Sequence, residues 1–307
     1  MSPLIIVLIV IASILVVLLL AIILLYINIF YSPLKGQIND FNLRGSKQFA
    51  GYENELKALI IKLMERPYED IYVKSFDKLK LHARLFENKG SNKVAILCHG
   101  YRGTAYRDFC GGANEAIELG YNVILIDERA HGSSQGHSIT FGIREVQDLL
   151  SWVKYARERF GQKIELALIG ISMGGATVLM AADKVGENVK IIADSPYSSP
   201  KTLLKETIRS IHLPIFILYP LLYITSLLFA RTNLNKLSAY KSIEQTNNKI
   251  LIIHGNKDSV VNYKISEKLY QAYPKKIQYE LFNGADHGVS YLADTQRYQK
   301  IIRDFLL

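Results

Sequence analysis

The pentapeptide Gly170-Ile171-Ser172-Met173-Gly174 constrains the fold of this chain more than any other stretch. An apolar run (164–171) precedes the serine and a run of small residues (174–184) follows it, which predicts a strand, a sharp turn and a helix. A serine on so tight a turn takes a strained backbone conformation, so the flanking positions must be small. Gly175 would let the helix pack closely on the strand. Since G-x-S-x-G also occurs by chance, the chemistry depends on a base and an acid elsewhere in the chain.

A candidate acid and a candidate base follow Ser172 in the chain. Asp258 and His287 each come directly after a short apolar run. Serine, acid, histidine is the order expected for a serine on such a turn. Catalytic groups gather at the carboxyl ends of parallel strands, so we expect these three side chains to meet. His287 would take the proton of Ser172, and Asp258 would orient the imidazole. Asp194 is a second candidate acid, and Asp286 is too close to His287 in sequence to orient it easily.

Two further loops lie at predicted carboxyl ends of strands. In His99-Gly100-Tyr101-Arg102-Gly103 the glycines allow a close backbone approach, and the N–H groups of Tyr101 and Met173 would form an oxyanion hole. We interpret His99 as a structural imidazole. The segment from Asp127 to Ser134 is read as a hydrogen-bonded loop, in which Asp127 and Arg129 pair and brace their neighbours.

Short apolar runs alternate with helical patterns through most of the chain. Two leading strands form a predicted hairpin turned at 77–78, and later strands alternate with helices such as 108–119 and 143–160. This order predicts an α/β domain with a mostly parallel sheet. The predicted strands are 70–76, 79–86, 93–98, 122–126, 164–171, 189–193, 250–253 and 278–282.

The first thirty residues predict a membrane anchor. Residues 4–25 carry no charge, and as a helix they would be about 33 Å long, enough for a bilayer core of roughly 30 Å. A cleaved signal peptide is the alternative, but it needs a basic start and a cleavage site of small residues, and neither is present. We therefore expect a permanent single-pass anchor (1–30), with Tyr26, Phe30 and Tyr31 at the membrane interface.

The distribution of charged residues bears on the membrane orientation of the protein and on its partners. Lys35, Arg44 and Lys47 follow the apolar segment and no basic residue precedes it, which favours a cytoplasmic catalytic domain. The net charge of +9 is scattered over the chain without a dense basic tract or a recognition motif. Nucleic acid is therefore not an expected partner, and an anionic membrane surface is.

The domain limits follow from composition. Residues 31–66 form a predicted linker with an amphipathic helix at 52–64, which presents Leu56, Leu59, Ile60 and Leu63, and the globular domain is 67–307.

One uncharged stretch, 213–230, interrupts the β-α alternation. A second membrane span there would separate Ser172 from everything after Arg231 and split the sheet, and Pro214 and Pro220 would kink it. We predict instead a cap of short apolar helices (197–247) that forms a lid over the active site. Whether residues 213–230 also contact the bilayer is left open.

The two cysteines, Cys98 and Cys110, do not make a disulfide framework and do not suggest a zinc site. We expect both to be reduced and structural. No cofactor and no metal is predicted, because acyl transfer through a serine needs neither.

Residues 68–307 resemble the α/β-hydrolase superfamily in the motifs at 99–103, 127–134, 170–175, 254–258 and 284–287. The Asp-x-Arg-x-His-Gly-x-Ser stretch and the Ser-Met-Gly-Gly turn are similar to membrane-anchored hydrolases of the serine-peptidase-like and Bem46-type group. The resemblance implies an eight-stranded sheet flanked by helices, a cap inserted after the sixth strand, and carboxylic-ester hydrolysis through an acyl-enzyme.

The function predicted from these features is that of a membrane-anchored serine hydrolase acting on carboxylic esters or thioesters. The apolar cap and the anchor favour a small-molecule or lipid substrate with a lipophilic acyl chain. Two alternatives stay open. One is a serine peptidase or acyl-aminoacyl hydrolase, and the other is a catalytically idle, membrane-tethered binding module.

Overall fold

A computed structural model describes residues 1–32, 40–41 and 47–307 of the protein. Its strands form one eight-stranded sheet. Their bounds are Glu69–Lys74 (β1), Lys80–Phe86 (β2), Lys93–Cys98 (β3), Asn122–Ile126 (β4), Glu165–Ile171 (β5), Lys190–Asp194 (β6), Ile250–Gly255 (β7) and Ile277–Phe282 (β8).

The strands are arranged in the order β1-β2-β4-β3-β5-β6-β7-β8. The β1–β2 and β2–β4 pairs are antiparallel, and every other pair is parallel. The predicted mostly parallel sheet with a leading hairpin is therefore confirmed. The carboxyl ends of β3 to β8 share one edge of the sheet, which is where the candidate site residues follow.

Helices cover both faces of the sheet. The α-helices of the described residues are Pro3–Leu25 (α1), Glu53–Met64 (α2), Ala105–Glu118 (α3), Glu145–Phe160 (α4), Met173–Met180 (α5), Pro200–Ser210 (α6), Ile215–Leu228 (α7), Ala239–Gln245 (α8), Lys264–Ala272 (α9), Ser290–Ala293 (α10) and Thr295–Leu306 (α11). One buried cluster packs α2, α3 and α11 against the sheet, and the other packs α4, α5 and α8.

Burial explains why the central strands were recognisable. Strands β4 and β7 are buried along their whole length, and β3 is buried at all but its first residue. A strand covered on both faces is selected for an unbroken apolar run, and the predicted bounds of β3 and β4 match the structure. The start of α3 was predicted three residues late, because its first turn is defined by a cap: the side chain of Thr104 accepts a hydrogen bond from Arg107 N.

The N-terminal helix leads directly into the domain. A π-helical turn, Tyr26–Phe30, continues α1, and the combined helix Pro3–Phe30 is long and apolar enough to cross a membrane, a property that signal sequences share. No side chain of α1 is buried in the protein. Phe30, by contrast, has no exposed surface and its ring meets that of Phe141 edge-on. The end of this helix is therefore part of the folded core, and the prediction that Phe30 lies at the membrane interface is wrong.

The predicted linker is described only in part. Lys35 and Arg44, on which the predicted orientation depends, lie outside the described residues. Helix α2 confirms the amphipathic pattern, because Leu56, Ile60 and Leu63 are buried against the neighbouring α3. The boundary at residue 67 stays a prediction.

The segment between β6 and β7 forms α6, α7 and α8. Strands β6 and β7 are parallel neighbours, paired from Ile191 with Ile250 to Asp194 with Ile253. A single membrane crossing between them is incompatible with this pairing. The prediction of a helical insertion after the sixth strand is confirmed.

Candidate active site

Ser172 occupies the sharp turn between β5 and α5. Its φ and ψ are 55° and −111°, a left-handed conformation that side chains rarely adopt. A Cβ atom at Gly170 would lie 2.2 Å from Gly174 O, and one at Gly174 would lie 1.8 Å from Cys98 O. The two glycines therefore allow the turn to pack against its own helix and against β3, as the sequence predicted.

The three predicted catalytic side chains form one hydrogen-bonded chain. His287 Nε2 lies 2.8 Å from Ser172 Oγ, and His287 Nδ1 lies 2.7 Å from Asp258 Oδ2. The carboxylate of Asp258 is fully buried and the imidazole of His287 is nearly so. With the Nδ1 proton held by Asp258, Nε2 is free to accept the serine proton.

Asp258 is held by four donors. Its Oδ1 accepts hydrogen bonds from Val260 N (2.9 Å) and Val261 N (2.7 Å). Its Oδ2 is shared by His287 and by His254 Nε2, which lies 3.0 Å away. Burial alone would raise the pKa of Asp258, but the hydrogen bonds from the two histidines outweigh burial and hold the pKa well below its usual range. Asp258 is therefore ionised at neutral pH.

His254 is a part of this site that the sequence reasoning missed. It lies inside the quoted 254–258 motif, four residues before the acid, and its other nitrogen, Nδ1, lies 2.7 Å from Ser266 Oγ. The sequence signal that could have identified His254 is a histidine at the end of a buried strand, beside a candidate acid.

The electrostatics of His287 follow from its partner. Burial would lower the pKa of His287, but the hydrogen bond to Asp258 outweighs burial and raises this pKa above its ordinary value. An imidazolium at His287 would therefore be stabilised by Asp258.

The two other candidate acids, Asp194 and Asp286, do not form a hydrogen bond with the imidazole of His287. Burial raises the pKa of Asp194 to about 6, against the opposing hydrogen bond from Ser195, and its carboxylate does not contact the His287 ring. Asp286 accepts from the backbone N of His287 at 2.7 Å and from Ser259, again without touching the imidazole. Asp258 is thus the carboxylate that the structure pairs with His287.

The loop after β3 approaches Ser172 closely. A Cβ built on Gly100 would lie 3.4 Å from Ser172 Cβ, and Tyr101 lines the same pocket as the serine. Met173 begins α5, so its N–H belongs to the unpaired first turn of a helix. The positions of Tyr101 and Met173 fit the predicted oxyanion hole. Their role as its hydrogen-bond donors stays a proposal.

The side chains of the Tyr101 loop bind the end of the N-terminal helix. Tyr101 Oη donates to Ile29 O at 2.9 Å, and its ring stacks on Phe141 with centroids 5.2 Å apart. The guanidinium of Arg102 donates to Asn28 O (2.9 Å) and Tyr31 O (3.2 Å). The loop that carries a proposed oxyanion donor is thereby fastened to the helix.

The predicted bracing role of the next loop is confirmed in its main part. His131 Nε2 accepts from Arg102 N at 3.0 Å, and the predicted structural histidine His99 accepts from Glu128 N at 3.0 Å. The two buried rings also meet edge-on. His99 does not touch Ser172, so its interpretation as structural is confirmed.

The predicted pairing of Asp127 with Arg129 is wrong. Asp127 instead contacts His82 Nδ1 (2.7 Å) and Arg84 (3.2 Å). Arg129 binds the buried Asp148 at 2.6 and 2.7 Å and also Asp77. Residues two apart on this tight loop point to opposite sides, and only the tertiary fold supplies their partners.

A pocket lies next to Ser172, on one side of the site, and much of its lining is apolar. Among the described residues its walls come from α2, α3, α10, α11 and the turn before α2. Its apolar members include Phe49, Leu56, Phe109, Ile171, Tyr291, Leu292 and Ile302. None of the lining residues belongs to 197–247, so the prediction that the cap forms a lid over this pocket is wrong. The cap packs on the other face of the sheet, with α4 and α5.

Both cysteines are free and buried, as predicted. Cys98 ends β3 beneath the serine turn, and Cys110 lies on α3 at the pocket wall. Burial raises the pKa of Cys110 to about 12, so this thiol stays protonated at neutral pH.

Fold and site together define a class. The mixed sheet order, the strained serine between β5 and α5, and a family profile for the α/β-hydrolase fold that matches residues 94–211 all agree. The chain therefore has the α/β-hydrolase fold, and this fold supports hydrolase activity.

Comparison with individual proteins shows what the chain is similar to. An esterase of Pyrococcus furiosus, Pf2001, superposes with a TM-score of 0.64 at 25% identity, covering 80% of this chain and 94% of the esterase. The uncharacterized protein YqkD of Bacillus subtilis is 28% identical over 195 residues, which are 62% of this chain and 63% of YqkD. The thiohydrolase aneE of Aspergillus aculeatus is 26% identical over 121 residues, 38% of each chain. The match thus spans less than two thirds of either of these two curated relatives.

Proposed function

We propose that this protein is a membrane-anchored serine hydrolase that cleaves carboxylic esters or thioesters of lipophilic acyl groups. The observation that carries the proposal is the buried hydrogen-bonded chain from Ser172 through His287 to Asp258, beside an apolar pocket. An esterase among the structural neighbours and a thiohydrolase among the sequence relatives support the choice of acyl chemistry.

The mechanism follows from the contacts. His287 Nε2 takes the proton of Ser172 as the oxygen attacks the acyl carbon, and the carbonyl becomes an oxyanion facing the N–H groups of Tyr101 and Met173. The imidazolium returns its proton to the leaving oxygen or sulfur as that bond breaks, leaving the acyl group on Ser172. Water then attacks the acyl carbon as His287 removes its proton. The bond between the acyl carbon and Ser172 Oγ breaks, the imidazolium returns the proton to Oγ, and the carboxylic acid is released.

The acyl group would lie in the apolar pocket, where burial of each CH₂ contributes about 0.8 kcal/mol. Two carboxylates on this wall, Asp108 and Glu115, already have charged partners. Asp108 accepts from Gly100 N (2.9 Å) and Arg107 (3.1 Å), and Glu115 binds Arg303 at 3.0 Å. A peptidase that grips a charged terminus needs an available carboxylate, so this pairing favours an ester over a peptide substrate.

Permanent anchoring is supported by the way the helix ends. Phe30 is buried in the core, and Tyr101 and Arg102 bind the carbonyls of residues 28, 29 and 31. A cleaved leader has no reason to contribute a core side chain. The cytoplasmic placement of the catalytic domain remains the expectation of the positive-inside rule.

The test is hydrolysis of a p-nitrophenyl ester series, from short to long acyl chains, by the full-length protein in detergent. Ser172→Ala should lose most of the ~10⁶-fold effect of a triad, and longer acyl chains should lower KM. Labelling by a fluorophosphonate should also require Ser172. An unchanged rate in Ser172→Ala would overturn the proposal. A wild-type protein that the fluorophosphonate does not label would favour the idle binding module.

A further inference from the structure

Helix α7 turns its large apolar side chains outward rather than toward the catalytic domain. Phe216 is 80% exposed and Leu228 is 62% exposed. The inward side is formed by Tyr219, Leu222, Thr225 and Ser226, which are buried. The exposed apolar set of α7 and its flanking turns is Ile211, Leu213, Phe216, Ile217, Ile224, Leu227, Leu228 and Phe229. A cluster of this size on a protein surface marks an interaction site.

This surface continues an apolar surface that the chain already presents. Helix α7 packs against the last turns of α1, and the rings of Tyr26 and Phe229 lie 5.4 Å apart. Residues 4–20 of α1 are exposed, whereas several residues from Ala21 to Tyr26 are partly covered. The outward side of α7 therefore lies beside the segment of α1 that would enter a bilayer.

We propose that α7 is a second membrane-contacting element, lying in the leaflet that holds the C-terminal turns of α1. The six residues from Ala21 to Tyr26 span about 8 Å along the helix, within the roughly 5–10 Å depth of interfacial helices. With 14 residues, α7 is about 21 Å long and too short to span the hydrocarbon core. The direct pairing of β6 with β7 also requires the chain to return to the same side.

Charge at the two ends of the apolar stretch fits this placement. Between Arg209 and Arg231 the sequence contains no Lys, Arg, Asp or Glu. Both arginines are exposed, and Arg209 also pairs with Glu206 at 2.6 Å. Basic side chains at the ends of an apolar segment bind the phosphate groups of lipids. The partner is thus an anionic bilayer surface.

The position of α7 has a consequence for catalysis that depends on the function proposed above. Tyr101, which lines the Ser172 pocket, donates to Ile29 O in the same helix end that α7 contacts. The pocket wall and the membrane elements are thereby joined through one short segment.

The experiment measures depth, and it does not depend on enzyme activity. Cys98 and Cys110 are buried, so single introduced cysteines can be labelled selectively with an environment-sensitive fluorophore. The full-length variants are Phe216→Cys on α7, Val10→Cys on α1 and Leu307→Cys as the control. Leu307 is 70% exposed, and its neighbour Leu306 contacts Lys190 at the start of β6, the opposite edge of the sheet.

Each variant is reconstituted into phosphatidylcholine–phosphatidylglycerol vesicles, and quenching by nitroxide-labelled lipids is recorded. We expect blue-shifted, quenched emission at residues 10 and 216, and water-like, unquenched emission at residue 307. Quenching at residue 10 with emission at 216 equal to that at 307 would overturn the α7 proposal and leave the anchor intact. Unquenched emission at residue 10 would overturn the anchor, and the α7 proposal with it.

Discussion

Replacing Asp258 by asparagine should disable the site while changing its shape very little. Oδ1 of Asp258 accepts from two backbone N–H groups, at 2.9 and 2.7 Å. The amide oxygen of an asparagine must take this position, because an NH₂ group would face two donors. Its NH₂ is then forced toward His287 Nδ1 and His254 Nε2. His287 can accept that hydrogen bond only with its proton on Nε2, the nitrogen that must receive the serine proton.

The expected loss is about 10⁴-fold in kcat, the effect of the wrong histidine tautomer in a serine triad, which corresponds to about 5.5 kcal/mol of transition-state free energy. KM should change little, because Asp258 does not line the pocket. The variant should also unfold more easily at neutral pH. The low pKa of Asp258 contributes stability above its unfolded-state pKa, which is lost as pH falls through the folded-state value.

The assay is hydrolysis of the best p-nitrophenyl ester at pH 8, with folding checked by circular dichroism. Asp286→Asn is the matched control, because that carboxylate lies in an adjoining loop and binds backbone N–H groups without touching the imidazole. It should retain activity within a few fold. Wild-type kcat in Asp258→Asn, or equal losses in the two variants, would refute this assignment of the acid.

Three further outcomes are expected. Gly174→Ala should destabilise the protein by at least about 3 kcal/mol in thermal unfolding, since its Cβ would lie 1.8 Å from a backbone oxygen of β3. Gly112→Ala, whose Cβ would meet its nearest neighbour at 3.6 Å, should instead be neutral or gain about 0.5–1 kcal/mol, and equal effects would contradict the packing argument. Because only neutral His287 accepts the serine proton and its pKa is raised above 6.5, the acid limb of kcat/KM should have its midpoint above pH 6.5; a lower midpoint would count against this residue as the base. Asp194 has its pKa raised from 3.8 to about 6, so ionising it costs folding stability as pH rises through this range. Asp194→Asn should therefore stabilise the protein by up to about 3 kcal/mol in urea unfolding at pH 8, with the gain vanishing toward pH 4, and a gain independent of pH would refute the explanation.

Sequence alone determined those features that local chemistry encodes. The buried strands β3 and β4 could be delimited because strands covered on both faces need unbroken apolar runs. The serine turn could be placed because only glycine fits at positions 170 and 174. The residues of the hydrogen-bonded chain could be named from their order and their place after strands, since parallel strands end at a shared edge.

Other features depended on which distant segments pack together. The partners of Asp127 and Arg129 come from a strand, a helix and a turn up to 52 residues away, so the prediction that they pair with each other failed. The second histidine that donates to Asp258, His254, became visible only once the loop had folded back on its strand.

The cap also shows which properties composition predicts and which depend on packing. The absence of charge in 213–230 indicated an apolar helix, but composition does not say which way its side chains point. The structure places α7 beside α1, away from the pocket, which α2, α3, α10 and α11 enclose instead. Sequence thus determined the elements and the chemical groups of the site. Only long-range packing decided which surface each apolar face covers, because burial is a property of neighbours that lie far apart in the chain.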